Sequence, residues 1–162
     1  MKKLRIYLDT SVISHLDAPD VPDKEADTKR LWEDIKAGRY EAFISPVVVA
    51  ELNDCPEPKL SYLREQLKLI DYVVLGKNDE VTYLAERYAA EVLKKKSFTD
   101  CQHIAYACVY DCDMVISWNF KHLVNYKTII GIKSVNALAG YREMMIYAPT
   151  NIVEGGDDDD DS

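Results

Sequence analysis

The chain has 162 residues, of which 28 are acidic and 20 are Lys or Arg, so its formal net charge is −8. This length favours one domain, and a chain of this size buries enough apolar surface to fold without disulfides or a structural metal. A hydrophobic share of 48% and a charged share of 30% exclude disordered and fibrous proteins. No apolar run reaches the roughly 20 residues of a membrane span, and no signal-peptide pattern is present, so we expect neither. The acidic balance argues, at face value, against a sequence-independent nucleic-acid binder.

Five consecutive acids, Asp157–Asp161, follow two glycines near the C-terminus. Removing their five charges from −8 leaves −3 for the rest of the chain, which is an ordinary balance. Because like charges repel and stay hydrated, we expect residues 151–162 to form a disordered tail that aids solubility. A tail that buffers metal or binds a partner is the alternative. Residues 1–150 are then expected to form the folded domain.

Three of the four cysteines share one helical stripe, because Cys101, Cys108 and Cys112 are spaced by seven and four residues. Three thiols on one apolar helix face are typical of small core residues rather than of metal ligands. No Cys-x-x-Cys pair occurs, so a zinc site is not expected. The simplest context is a reducing cytoplasm, where we expect the protein to act.

Apolar runs and helical periodicities alternate along the chain. The clearest helix begins at Asp79, where apolar residues recur at steps of three and one up to Leu93. Polar residues after the first strand favour a short capped helix. In chain order, the sequence predicts strand 4–8, helix 24–37, strand 42–45, helix 47–52, helix 58–69, strand 72–75, helix 79–93, helix 97–111, strand 114–117, helix 133–140 and strand 144–147. This alternation predicts one α/β domain with a mostly parallel sheet.

Polar and acidic side chains occur where strands end, which is the edge at which open α/β sheets bind ligands. Asp9 ends the first strand, and Ser117 and Asn119 follow the strand at 114–117. Glu51 and Asp100 lie in the first turns of two helices. We expect these side chains to converge on one pocket, although the strand-end rule places only Asp9 and Asn119 there directly.

Each carboxylate also has a structural interpretation. Asp9 can simply cap a helix, and Asp100 completes a capping box with Ser97. Glu51 is harder to explain in this way, because an acid in so apolar a segment costs several kcal/mol if it is buried without a partner. It must lie at the edge of that segment or face a charge, such as a ligand cation.

Four segments resemble, in order, the signature blocks of PIN-domain proteins: Ile6–Ile13, Ser45–Glu51, Phe98–Ala105 and Val115–His122. Within that family the chain looks most like the VapC-like toxins of bacterial type II toxin–antitoxin pairs, and the resemblance spans residues 4–150. It implies a three-layer α/β/α sandwich with a mostly parallel five-stranded sheet. It also implies a ribonuclease that binds Mg²⁺ or Mn²⁺, forms a homodimer and has a small antitoxin partner.

By position, Asp9, Glu51 and Asp100 match three family carboxylates, to which the resemblance assigns metal binding and catalysis. The fourth position, commonly Asp, is Asn119 here; its amide oxygen can ligate a hard cation or hold a water, but it brings no charge. Three carboxylates suffice for one Mg²⁺, whereas a second ion lacks its fourth carboxylate. Phosphodiester hydrolysis needs an activated water and charge stabilisation, and a cation on oxygen ligands supplies both. Thr10 and Ser117 are predicted to orient waters around that cation.

An acidic enzyme that cleaves RNA must still hold an anionic substrate. Lys96, at the end of the run Lys94–Lys96, and Lys121 are predicted to contact RNA phosphates. The lysine run alternatively complements the dipole of a helix end. His103 is either a structural histidine or a general acid, and Trp118 either stacks on a base or packs under the rim of the pocket.

Two other functions remain open. The segment after the first strand faintly resembles the haloacid-dehalogenase motif, but Ser11 stands where that motif has a second Asp. The chain has no glycine-rich phosphate motif of a nucleotide-binding enzyme. The second alternative is a catalytically weak or inactive PIN-like domain that only binds RNA or protein, because Asn119 departs from the family pattern.

Overall fold

One parallel sheet organises the computed structural model, which describes residues 2–93 and 98–153 of the chain. Its five strands run in the order β3-β2-β1-β4-β5, and every neighbouring pair is parallel. The predicted five-stranded sheet is therefore confirmed, and in the described residues it is parallel throughout. The strands are β1 (Leu4–Leu8), β2 (Tyr40–Ile44), β3 (Tyr72–Val74), β4 (Met114–Ile116) and β5 (Met145–Tyr147).

Helices connect the strands and cover both faces of the sheet. The chain moves along the sheet in one direction from β1 to β3, and then in the other direction from β3 to β4 and β5. Because crossovers between parallel strands are right-handed, this reversal places the first four helices on one face of the sheet and the next three on the other. This arrangement gives the three layers that the resemblance implied. The helices are α1 (Thr10–Ser14), α2 (Pro22–Lys36), α3 (Pro46–Asn53), α4 (Lys59–Leu67), α5 (Asp79–Glu91), α6 (Phe98–Val109), α7 (Tyr126–Ala139) and α8 (Pro149–Ile152).

Helix α7 begins well before the predicted residue 133, because Asn125 caps it. Asn125 Oδ1 accepts a hydrogen bond from Thr128 N at 2.9 Å. Glycine weakens the helical pattern in this stretch of sequence, yet a Cβ at Gly131 would lie 2.7 Å from Val92 Cγ1. Gly131 therefore permits the close approach of α7 to the end of α5, a tertiary requirement that the local sequence pattern does not reveal.

The central strands carry the hydrophobic core. Ile6, Tyr7 and Leu8 of β1 have no exposed surface, and neither do Val115 and Ile116 of β4. Continuous burial along a strand is the pattern of a parallel sheet that is covered on both faces. None of the helices within residues 2–93 and 98–153 has the length and apolar character that a membrane span requires.

The predicted helical stripe holds for Cys101 and Cys108 on α6, whereas Cys112 lies beyond the end of that helix, so the three do not share one helix face. Cys101, Cys108 and Cys112 are buried as free thiols. Burial raises the pKa of Cys101 and of Cys112 to about 12. Thiols that stay neutral and buried behave as small apolar side chains, so their interpretation as core residues is confirmed.

Three predictions concern the ends of the described ranges. The run Lys94–Lys96, with its predicted RNA contact Lys96, and the acidic residues of the tail lie outside the described residues. Both stay predictions. Helix α8 extends past the predicted domain boundary at residue 150 and contacts α2, where Thr150 Oγ1 donates to Asp27 Oδ2 at 2.8 Å.

Candidate active site

Asp9 lies at the carboxyl end of β1 and caps α1. Its Oδ1 accepts hydrogen bonds from Ser11 Oγ at 2.6 Å and from Val12 N at 3.2 Å. The residue is only 3% exposed, and this burial raises its pKa, outweighing the opposing effects of His103 and of bonds from Ser11 and Ser117. Among the described residues, no Lys or Arg forms an ion pair with Asp9. Asp9 is thus both a helix cap and a buried carboxylate whose charge is poorly compensated.

Glu51 faces the same edge of the sheet from α3. Its Oε1 accepts from Thr10 Oγ1 at 2.5 Å and lies 2.8 Å from His103 Nε2. Burial alone would raise the pKa of Glu51, but the hydrogen bonds from His103 and Thr10 outweigh it and lower that pKa. The acid in this apolar segment therefore lies at its edge and meets a polar partner, as predicted from the cost of leaving it unpaired.

A chain of buried hydrogen bonds holds Glu51 from behind. Tyr7 OH lies 2.7 Å from His103 Nδ1 and 2.7 Å from Ser45 Oγ. A carboxylate only accepts hydrogen bonds, so His103 donates from Nε2 to Glu51; in the tautomer that carries its single proton there, Nδ1 accepts from Tyr7. Ser45 Oγ in turn donates to Tyr7 and accepts from Val47 N at 3.2 Å, which caps α3. One continuous network thus joins the start of α3 to its own acidic side chain.

Asp100 and Asn119 meet on the other side of β1. Asn119 Nδ2 lies 3.5 Å from each carboxylate oxygen of Asp100. Asn119 Oδ1 accepts from His122 N at 2.9 Å, and because a backbone N–H can only donate, this bond fixes the orientation of the amide. Asn119 therefore presents donors to Asp100, and its oxygen is used within its own loop rather than offered as a ligand.

Two serines tie the ends of β1 and β4 together. Ser11 Oγ, which donates to Asp9, lies 3.5 Å from Ser117 Oγ and accepts from Trp118 N at 2.9 Å. Ser117 Oγ also accepts from Asn119 N at 2.9 Å. These contacts link Asp9 to the loop that contacts Asp100, so the strand-end residues share one site.

The structure thus places all four predicted catalytic positions and both predicted supporting hydroxyls at one edge of the sheet, in two groups on either side of the end of β1. Thr10 holds Glu51, and Ser117 holds the loop that carries Asn119. Lys121 is exposed just beyond this loop. Across the described ranges, however, no three His, Cys, Asp or Glu side chains converge closely enough to enclose a metal ion. The site is an open edge lined by hard oxygen donors, which can bind a hydrated cation or orient a water.

Sequence reasoning missed three members of the site. The sequence placed Tyr7 and Ser45 in predicted strands. It placed Ser11 among the capping residues after the first strand and as a departure from another motif. Their shared signal is weak: each is a hydroxyl at or beside a strand end. The sequence singled out His103 as either a structural histidine or a general acid. Its side chain is only 2% exposed and lies between Tyr7 and Glu51, as expected of a structural histidine.

The fold of this chain is similar to the folds of solved VapC and VapBC proteins. A scan against family models finds no match, and neither does a search of curated proteins. VapC20 of Mycobacterium tuberculosis, a toxin that cleaves the sarcin–ricin loop, matches with a TM-score of 0.53 and 16% identity over 86% of this chain and 98% of that one. VapBC2 from Rickettsia felis, bound to a DNA fragment from its promoter, matches with a TM-score of 0.52 and 12% identity over 90% of this chain and 98% of that one. VapBC-1 from nontypeable Haemophilus influenzae matches with a TM-score of 0.52 and 17% identity over 91% of this chain and 99% of that one.

These matches cover nearly the whole of each solved chain. Their sequence identities are low, so they show a shared fold and nothing more. The protein therefore has the α/β fold of VapC proteins, and its resemblance to the PIN-domain toxins is confirmed at the level of that fold.

Proposed function

We propose that this protein is a metal-dependent endoribonuclease and the toxin of a type II toxin–antitoxin pair. One observation carries the proposal: residues 9, 51, 100 and 119, which are far apart in sequence, lie at one edge of the sheet. Two hydrogen-bond networks hold them there, one around Glu51 and one that runs from Asp9 to Asp100. The four residues are also the positions that match the family carboxylates. The VapC fold supports the same conclusion.

The donor set fits a hard divalent cation. Carboxylate oxygens suit Mg²⁺ or Mn²⁺, and Mg²⁺ keeps several of its own waters, so an open site is compatible with it. The buried charge of Asp9, which has no Lys or Arg partner among the described residues, is the feature that a cation would compensate. Asp9, Glu51 and Asp100 would hold the ion. When bound, it would make a water more acidic and neutralise charge that develops on the phosphate.

The remaining residues act on these carboxylates. Thr10 and His103 orient Glu51, Ser11 orients Asp9, and Asn119 donates to Asp100. Because these partners are themselves hydrogen-bonded, the carboxylates are held ready for the substrate rather than reorganised by it. Lys121 and, outside the described residues, Lys96 are proposed to contact phosphates of the RNA.

The proposed partners follow from the same fold. VapBC2 and VapBC-1 are toxin–antitoxin assemblies by name. We infer that a small antitoxin covers the acidic edge of this chain and that the active toxin is a cytoplasmic homodimer. The RNA target is set by groove shape and loops, so it is left to experiment.

Purified protein tests the proposal directly. Wild type should cleave RNA with Mg²⁺ or Mn²⁺, should stop in EDTA, and should leave a 5′-phosphate. Asp100→Ala should be inactive with the same RNAs, and expression of the wild-type gene alone should arrest bacterial growth where Asp100→Ala does not. Metal-independent cleavage, or equal cleavage by Asp100→Ala, would refute the proposal.

A second function is favoured by one observation, the amide of Asn119 in place of a fourth carboxylate. A domain of this fold that binds RNA or a partner without cleaving it would show saturable RNA binding. It would show no product with either metal, even at high protein concentration. The cleavage assay above separates the two functions.

Asn119→Asp tests what this departure does. The new carboxylate would face Asp100 in place of donors at 3.5 Å, and the two like charges would repel each other without metal. We expect a lower melting temperature in EDTA, and a Mn²⁺ requirement for cleavage that falls about tenfold because a ligand charge is added. Thermal unfolding and a Mn²⁺ titration measure the two effects. An unchanged melting temperature together with an unchanged Mn²⁺ requirement would show that this position does not act on Asp100.

A further inference from the structure

An exposed aromatic side chain stands directly beside the candidate site. Phe120 follows Asn119 in the chain and is 47% exposed. Its ring packs edge-on against Trp118, with centroids 6.1 Å apart and planes at 65°. Trp118 is only 6% exposed, and its Nε1 donates to Thr28 Oγ1 at 2.8 Å. The buried indole is thus a fixed support, and Phe120 is the ring that solvent and ligands can reach.

Positively charged side chains lie near this ring. Lys24 Nζ lies 5.2 Å from the centroid of Phe120 and 5.5 Å from that of Trp118. Beside Phe120 lies a groove of about 620 Å³, which Lys121 and Lys127 also line. Its remaining lining residues include Val92, Asn125 and Ile130.

These cations differ from several others on the surface. Lys29, Lys36, Lys68 and Lys133 are each paired with a glutamate at 2.9–3.5 Å. No ion pair within the described ranges involves the lysines that surround Phe120, namely Lys24, Lys121 and Lys127. Among the described residues, the acid that lines the groove is Glu91, which is bound by Arg87 at 3.1 Å. The groove therefore offers uncompensated positive charge next to an accessible ring.

We propose that Phe120 is a stacking platform for one base of single-stranded RNA, and that Lys24, Lys121 and Lys127 hold the adjoining phosphates. An aromatic face with cations around it binds unpaired bases with little sequence preference, because every base has a π-face. A base inside a duplex is already stacked and cannot lie on the ring. The platform deepens the proposed ribonuclease function: it rests on RNA as the substrate and places a base beside the residue that contacts Asp100.

Binding without cleavage gives the cleanest test. The probe is a fluorescein-labelled single-stranded oligoribonucleotide of mixed sequence, measured by anisotropy in EDTA. Phe120→Leu keeps an apolar side chain but removes the π-face, and we expect its Kd to rise about tenfold. Phe120→Tyr keeps the ring and should bind as wild type does. Tyr83→Leu, which removes a ring that is 63% exposed on α5, is the matched surface control and should also leave Kd unchanged.

Two further probes separate stacking from charge. A strand with abasic sites throughout should bind wild type and Phe120→Leu equally, because it has no base to stack. Lys121→Gln and Lys127→Gln should each lower the slope of log Kd against log salt by about one unit on the normal strand. Equal Kd values for Phe120→Leu and wild type, equal losses on normal and abasic strands, or no binding of RNA at all would each overturn the platform.

The outcomes also distinguish this inference from the proposed function. RNA binding that depends on Phe120, without cleavage in metal, would refute the nuclease and keep the platform. Cleavage by wild type with no effect of Phe120→Leu on binding would refute only the platform, and would favour a protein partner as the ligand of this ring. Melting temperatures close to wild type for each variant confirm that the exposed substitutions leave the fold intact.

Discussion

Asp9→Asn is expected to abolish RNA cleavage and, at the same time, to raise the melting temperature of the metal-free protein. The loss of activity should exceed about 100-fold, the upper end of what removing a mere partner of a metal ligand costs. The gain in stability follows from burial, which raises the pKa of Asp9 in the folded state. A group whose pKa is higher in the folded than in the unfolded state stabilises the fold at low pH and loses that contribution as the pH rises through its folded value.

At neutral pH the ionised carboxylate is therefore a cost to the metal-free fold, and the neutral amide removes it. Asparagine retains an Oδ1 that can accept from Ser11 and Val12, so the cap of α1 is kept. Thermal unfolding in EDTA measures the difference between the two proteins. That difference should shrink as the pH falls through the folded pKa of Asp9, because the wild-type carboxyl is then neutral as well.

The matched control is Asp54→Asn, which removes an exposed acid at the end of α3. It should change neither activity nor melting temperature. Addition of Mn²⁺ should stabilise wild type and Asp54→Asn, and should leave Asp9→Asn unaffected. A lower melting temperature of Asp9→Asn in EDTA would contradict the prediction, since the carboxylate would then be stabilising the fold without any cation.

His103→Ala is expected to have the second largest effect. Glu51 would lose the donor at 2.8 Å that fixes its Oε1, and Tyr7 OH would lose its acceptor at 2.7 Å. Removing such an outer partner of a ligand costs about 10–100-fold in metal affinity or activity. Leaving buried polar groups unpaired also lowers stability, by about 1–3 kcal/mol. A Mn²⁺ titration of RNA cleavage and denaturant unfolding measure these two effects separately.

Two variants test whether His103 positions Glu51 or merely fills space. His103→Gln retains an amide donor on a side chain of similar reach, and it should recover part of the Mn²⁺ affinity. Tyr7→Phe keeps the ring and removes only the outer hydroxyl, so its effect on the Mn²⁺ requirement should be smaller than that of His103→Ala. If His103→Ala unfolds more easily but needs no more Mn²⁺ than wild type, its role is structural alone.

Much of the fold could be predicted because local patterns and global topology agree. The strand Leu4–Leu8 is apolar and ends in a capping residue, and the structure gives the same bounds. Glu51 could be predicted as a site residue because burying an unpaired carboxylate among apolar residues costs free energy, so this acid needs a partner. The parallel sheet followed from the alternation of strands and helices, which permits few other arrangements.

The hydrogen bonds within the site could not be predicted, because they join residues that are far apart along the chain. The bond between Tyr7 and His103 joins residues 96 positions apart, and both have sufficient local explanations as a strand residue and a helix residue. The orientation of the Asn119 amide depends on one backbone donor in its own loop, His122 N. The glycine at position 131 of α7 is explained by the approach of Val92, and the two residues meet only in the folded chain.

The contact between Ser11 and Ser117 has a consequence for synthesis on the ribosome. It joins residues 106 positions apart, so β4 must be complete before the edge that holds Asp9 can close. A nascent chain that has emerged only as far as α6 carries all three carboxylates but has no β4 to bring them together. Such long-range pairing makes folding slow and late. For the ribonuclease proposed above, which would be made beside ribosomal and messenger RNA, this order would delay activity until β4 has been made.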